Sequence, residues 1–170
     1  EGEKLEVKVS GLMGGHSGAE IDKNRANANK LMGRFLYGLK KKADYAVISL
    51  AGGQKDNAIT RECITEFLTD APEEVKAYAK ELQEQIREEY TGSDENITIE
   101  VKENGVGTAQ VLHPTSQEKI VFYLQNVPFG IQKMSGTIKG LVESSSNIGI
   151  LRLDEDELFA SSSVRSSVDA

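Results

Sequence analysis

Tyr45-Ala46-Val47-Ile48-Ser49-Leu50 and Glu62-Cys63-Ile64-Thr65-Glu66-Phe67-Leu68-Thr69 are two runs rich in β-branched and aromatic residues, separated by the turn formers Gly52-Gly53 and Asp56-Asn57. The pattern predicts a β-hairpin. Upstream, Ala28, Leu31, Met32, Phe35, Leu36 and Leu39 recur at helical spacing within residues 22–41, with Lys40-Lys41-Lys42 suiting the negative end of the helix dipole. Downstream, Asp70-Ala71-Pro72-Glu73 reads as a helix start capped by Asp70, and Val75, Tyr78, Ala79, Leu82 and Ile86 form its buried stripe. Outside both helices lie two more alternating runs, Leu5-Val7-Val9 in Glu3 to Ser10 and Ile97-Ile99-Val101 in Asn96 to Lys102. The order β-α-β-β-α-β over residues 1–103 predicts an α+β, ferredoxin-like sandwich: an antiparallel sheet with both helices on one face.

Residues 104–170 form a C-terminal extension of the same domain. Thr115-x-x-Glu118 is a capping-box candidate, and Ile120, Val121, Leu124 and Val127 mark a helix that stops before Pro128. A glycine-punctuated stretch from Gly130 to Gly140 carries no recognisable motif. It leads to a strand from Asn147 to Leu153, an acidic turn from Asp154 to Glu157, and a serine-rich strand ending near Val168. The chain opens and closes in strand-like runs without an initiating methionine, so it is expected to be a piece of a larger protein.

Twenty basic against 27 acidic residues give a net charge of -7, which opposes binding to nucleic-acid phosphates. No apolar run approaches a membrane span. The single Cys63 cannot form an internal disulfide, so a cytoplasmic location is expected. A metal site is not expected either: His16, His113 and Cys63 are far apart, with no HxH or CxxC. Neither a phosphate-binding loop nor a nucleophile elbow is present, and Gly105-Val106-Gly107 lacks the setting of a dinucleotide site.

What remains is Gly14-Gly15-His16-Ser17-Gly18, a histidine between glycines that let the backbone bend and approach a ligand. A solvent-facing loop tip is the competing reading. Arg165 stands among Ser161-Ser162-Ser163-Val164 and Ser166-Ser167, whose small side chains leave room for a carboxylate held through two charge-assisted bonds. An exposed strand arginine is its plainer reading. Asn57 offers an amide donor and acceptor on a turn, where asparagine commonly needs no ligand. His113, before Pro114, reads as structural or merely exposed.

Taken together, Gly11-Leu12-Met13-Gly14-Gly15-His16-Ser17-Gly18, Asn27-Ala28-Asn29-Lys30-Leu31, Gly52-Gly53 with Asp56-Asn57-Ala58-Ile59, and Val164-Arg165-Ser166 resemble the lid, or dimerisation, domain of the aminoacyl-histidine dipeptidases. These Xaa-His dipeptidases belong to the two-zinc aminoacylase and carboxypeptidase superfamily. The resemblance implies a homodimeric cytoplasmic parent that cleaves dipeptides ending in histidine, with both zinc ions and the carboxylate base in a separate domain absent from this chain. It implies that the chain alone is inactive. It also implies that His16 reaches the partner subunit's active site as an oxyanion donor, that Asn57 holds the substrate's carbonyl or C-terminal end, and that Arg165 binds the substrate carboxylate. Asn147 is the weaker alternative to Asn57. Thr60 departs from the proline common in related sequences, and a looser turn is the expected result. Two rival readings are a free-standing ferredoxin-like module that binds a small carboxylate and a purely structural dimerisation domain.

Overall fold

A computed structural model describes residues 1–155 and 157–168; Asp156, within the acidic turn read from the sequence, and Asp169 and Ala170 lie outside the described residues. Four strands and two helices build the core: β1 (Gly2–Ser10), α1 (Ala28–Leu39), β3 (Tyr45–Gly52), β5 (Cys63–Thr69), α2 (Pro72–Glu89) and β6 (Thr98–Gly107). The strands lie in the order β6-β1-β5-β3, with every neighbour antiparallel. This is the ferredoxin-like arrangement that the alternating runs predict.

Alternation explains the sheet. Leu5, Val7 and Val9 are fully buried, while Glu6 and Lys8 between them are half-buried. From β5, Cys63 and Phe67 join the same core as Phe35, Leu36 and Leu39 of α1 and Val75, Leu82 and Ile86 of α2. Each such large side chain contributes about 1.5–3 kcal/mol on burial.

Helix boundaries differ from the sequence reading where local hydrogen bonds compete. The run expected from Asp22 is broken by left-handed Asn24, leaving a 3-10 turn at Ile21–Lys23. The α-helix proper starts at Ala28, because the Asn27 carboxamide accepts from the Asn29 and Lys30 N–H groups. Asp70 does not cap α2; its N-cap is Ala71, whose N–H donates to Thr69 Oγ1 at 3.1 Å. The third helix, α3 (Pro114–Asn126), is capped by His113 rather than by a Thr115–Glu118 box: Nδ1 of His113 accepts from Thr115 N at 3.2 Å. Glu118 instead pairs with Lys40 at 2.9 Å.

The extension prolongs the sheet beyond β3. Its strands are β7 (Gly130–Met134), β8 (Val142–Asp154) and β9 (Glu157–Ser166), with β8 longer than expected and β7 lying in the glycine-punctuated stretch. β9 pairs with β8 from Ser166↔Ser144 to Glu157↔Asp154. On its other edge β8 meets β7 at residues 142–146 and β3 at only two positions, Ala51↔Arg152 and Gly52↔Leu151. The rest of the β3 edge is closed by α3 and its approach. Leu112 N donates to Val47 O at 2.9 Å, and the Gln117 carboxamide accepts from Val47 N at 2.7 Å and donates to Tyr45 O at 3.0 Å. α3 is fastened to α1 by Lys30, whose Nζ donates to the carbonyls of Leu124, Gln125 and Val127 at 2.6, 3.1 and 2.8 Å. No helix among the described residues is long and apolar enough to cross a membrane.

Candidate functional site

Two short strands carry the candidate residues. β2 (Gly15–His16) pairs with β4 (Ala58–Ile59), setting His16 opposite Ala58 and beside Asn57. Ser17 N donates to Asn57 O at 2.9 Å, so the histidine loop and the asparagine turn are one unit.

That unit is anchored from beneath by buried amides. Between the segments of β8 paired to β7 and to β3, the carbonyls of Ile148 and Gly149 face no strand. Asn27 Nδ2 donates to Ile148 O at 2.9 Å and to Asn147 Oδ1 at 3.0 Å. Asn147 Nδ2 in turn donates to Asp56 O at 3.0 Å and Ala58 O at 2.8 Å. Asn147 is fully buried with its carboxamide engaged inside the protein. Its side chain therefore supports the Asn57 turn, while Asn57 itself is exposed. Thr60 corrects a second expectation. It is buried, its Oγ1 shares its hydrogen between the Ile148 and Gly149 carbonyls at 3.1 and 3.0 Å, and it accepts from Asn29 Nδ2 at 3.2 Å. Threonine here ties the turn down rather than loosening it. Gly149 allows the approach, since a side chain there would lie 2.5 Å from the Asp56 backbone.

The histidine is exposed, yet its ring is held. Nδ1 accepts from Gly18 N at 3.0 Å and Ala19 N at 3.1 Å. His16 N donates to Glu20 Oε2 at 2.7 Å, and Arg25 Nη1 donates to Glu20 Oε1 at 2.9 Å and Gly14 O at 2.7 Å. The His16 N–H and the Arg25 guanidinium together hold the Glu20 carboxyl below its usual range. Asp94, fully buried, accepts from Met13 N at 3.2 Å and Ala26 N at 3.1 Å, which fixes both ends of the segment.

Arg165, on β9 opposite Ser145, reaches the same place. A Cβ added at Gly18 would lie 2.9 Å from Arg165 Nε and 3.2 Å from His16 Cε1, so imidazole and guanidinium flank this one glycine. Arg165 is exposed and makes no ion pair among the described residues. The structure thus brings together His16, Asn57 and Arg165, which lie far apart in sequence. It leaves out His113, spent on a helix cap, and Cys63, whose thiol burial pushes far above its ordinary value. Glu20, Arg25, Asn27, Asn29 and Asp94 escaped the sequence reading as parts of this site. Their only signal was the polar run through Asn27-Ala28-Asn29, where a helix would ordinarily bury apolar groups. No three His, Cys, Asp or Glu side chains among the described residues are placed to hold a metal ion.

A ferredoxin-like sandwich with a buttressed histidine and an exposed arginine on one rim has the make-up of an assembly domain. The chain belongs to the M20 peptidase dimerisation domain family, whose model matches residues 7–94. It is 29% identical to the cytosol non-specific dipeptidase of Escherichia coli (strain K12) over 170 residues, 99% of this chain and 35% of that protein. It superposes on the crystal structure of aminoacylhistidine dipeptidase from Vibrio alginolyticus with a TM-score of 0.93 at 30% identity, covering 98% of this chain and 34% of that one. The chain spans about a third of the length of the relatives it matches.

Proposed function

We propose that residues 1–170 are one lid and dimerisation domain, with a core over 1–103 and an extension over 104–170, of a cytoplasmic, homodimeric, metal-dependent dipeptidase acting on Xaa-His dipeptides. The observation that carries this reading is the meeting of His16 and Arg165 at Gly18. A dipeptide needs a cationic partner for its free carboxylate and a donor for the oxygen of its scissile carbonyl. Arg165 offers a forked guanidinium for the first. His16 offers a ring N–H for the second, a contact that strengthens as charge develops on the carbonyl oxygen and so favours the transition state. Asn57, at the edge of the same turn, supplies an amide for the substrate's carbonyl or C-terminal end.

This chain's own residues bind and orient, and the bond-breaking chemistry is assigned to two zinc ions and a carboxylate base in the parent's other domain. The residues described here do not fit a metal. The isolated chain is accordingly expected to dimerise and to be inactive. The resemblance implies that His16 serves the partner subunit's active site, and because Arg165 stands beside it, both are assigned to that one site.

The test is made in the complete enzyme. His16→Ala lowers kcat by about 10²–10³-fold, as loss of an oxyanion donor does. Arg165→Ala chiefly raises KM for substrates with a free carboxylate. Mixing a His16→Ala/Arg165→Ala subunit with one whose metal ligands are replaced restores activity, since the mixed dimer holds one site with an intact lid and intact metals. No restoration, with subunit exchange confirmed, overturns the assignment in trans.

A further inference from the structure

We propose that the loop backbone, clamped by Glu20 and Arg25, fixes the tautomer of the His16 imidazole, with the hydrogen on Nε2 and not on Nδ1, which makes Glu20 and Arg25 positioning residues for that donor. The inference rests on the reading of His16 as an oxyanion donor for its purpose, and on the hydrogen bonds of the loop for its form.

A neutral imidazole has one N–H and one lone pair, on different nitrogens. Gly18 N and Ala19 N both donate to Nδ1, at 3.0 and 3.1 Å. A hydrogen on Nδ1 would face two other hydrogens, so the ring carries it on Nε2. Among the described residues Nε2 has no partner, and the side chain is exposed. The usual arrangement at a site runs the other way: Nδ1–H donates inward to a carboxylate or carbonyl, which leaves Nε2 as a lone pair for a metal or a proton. Reversing the inner bond turns the outer nitrogen from base or ligand into donor. The loop has built the one tautomer that can stabilise an oxyanion while neutral.

Two amides converge on one nitrogen only if residues 16–20 stay curled. His16 N donates to Glu20 Oε2 at 2.7 Å while Glu20 N donates back to His16 O at 3.0 Å, closing the turn at both ends. Arg25, largely buried, then joins Glu20 Oε1 to Gly14 O and pins the turn to the segment just before β2. Gly15, with φ of +132°, has no space for a side chain, which would strike the Glu20 carboxylate and the Arg25 guanidinium.

The experiment uses the ¹⁵N-labelled chain at mildly alkaline pH, with long-range proton–nitrogen correlation to read which ring nitrogen bears hydrogen. His16→Gln identifies the resonances by their loss, leaving those of His113. The unsubstituted chain is expected to show His16 as a single Nε2–H form. Glu20→Ala is expected to give a mixture of tautomers and, in the complete enzyme, about a tenfold fall in kcat with little change in KM, a loss absent when Glu20→Ala is added to His16→Gln. Should Glu20→Ala unfold the chain, Arg25→Met, which keeps the buried stem, asks the same question. An Nδ1–H form or a mixture in the unsubstituted chain overturns the proposal, as does a pure Nε2–H form that survives both clamp variants. A pure Nε2–H signal in a chain whose His16→Gln enzyme keeps full kcat would instead defeat the oxyanion reading and leave the tautomer standing.

Discussion

Replacing Asn147 by alanine separates support from substrate contact more sharply than any change to an exposed residue. Three hydrogen bonds are lost: two donated to Asp56 O and Ala58 O, and one accepted from Asn27 Nδ2. Each is worth about 0.5–1.5 kcal/mol net, and a buried polar group left without a partner costs about 1–3 kcal/mol. Asn27 keeps its bond to Ile148 O, so the orphaned groups are mainly the two turn carbonyls. The sum is about 2–4 kcal/mol, which lowers the melting temperature of a chain this size by roughly 5–15 °C. Thermal unfolding followed by circular dichroism measures it. Asn147→Asp, which keeps the size but aims an acceptor at two carbonyl oxygens, should cost at least as much. A melting temperature within a degree of the original, together with a raised KM in the complete enzyme, would refute the reasoning and return Asn147 to the role of a ligand contact.

Two further changes follow from other bonds of the fold. Lys30→Met removes the cation that closes the C-terminal carbonyls of α3; a loss of about 1–2 kcal/mol is expected, with amide exchange accelerated in residues 114–126 before the rest of the core. Acidification should free the histidine loop. Because the folded chain holds the Glu20 carboxyl below its ordinary value near 4.5, its contribution is complete above that value and fades as pH falls through the lowered one. Glu89 and Glu118, lowered by Arg34 and Lys40, add a general acid sensitivity of the same sign, so the His16 amide, which donates to Glu20 Oε2, is the reporter to follow. Glu20→Gln should remove the local transition.

The core was legible because its strands alternate and its helices carry continuous apolar stripes; Leu5-Val7-Val9 and the stripe from Ala28 to Leu39 left little choice. The hairpin of β3 and β5 could be read for the same reason, although the turn between them also lends β4 to the histidine loop. Helix starts were less legible, since Asn27, Thr69 and His113 cap or tie them through geometry that neighbouring Asp22, Asp70 and Thr115 imitate in sequence. In the candidate site, the exposed residues His16, Asn57 and Arg165 stand out in the sequence because their chemistry is conspicuous. The amides and carboxylates that hold them do not, because Asn27 and Asn147, or Asp94 and Met13, meet only across separations of 120 and 81 residues. Nothing local distinguishes a buried asparagine that props a turn from an exposed one open to a ligand.

In a ferredoxin-like sheet β3 would be an open border, a row of unpaired amides and carbonyls ready to template any other extended chain. Here the molecule has sealed that border with its own material: two residue pairs from β8, one backbone amide and the side chain of Gln117. Growth of the sheet by strand addition, whether productive pairing with a sister copy or the start of an aggregate, is thereby steered to β6 or to the strands of the extension. Gln117 thus shares the gatekeeping with β8 and Leu112, and the direction in which copies of this domain can be joined is partly decided within one chain before any second one arrives.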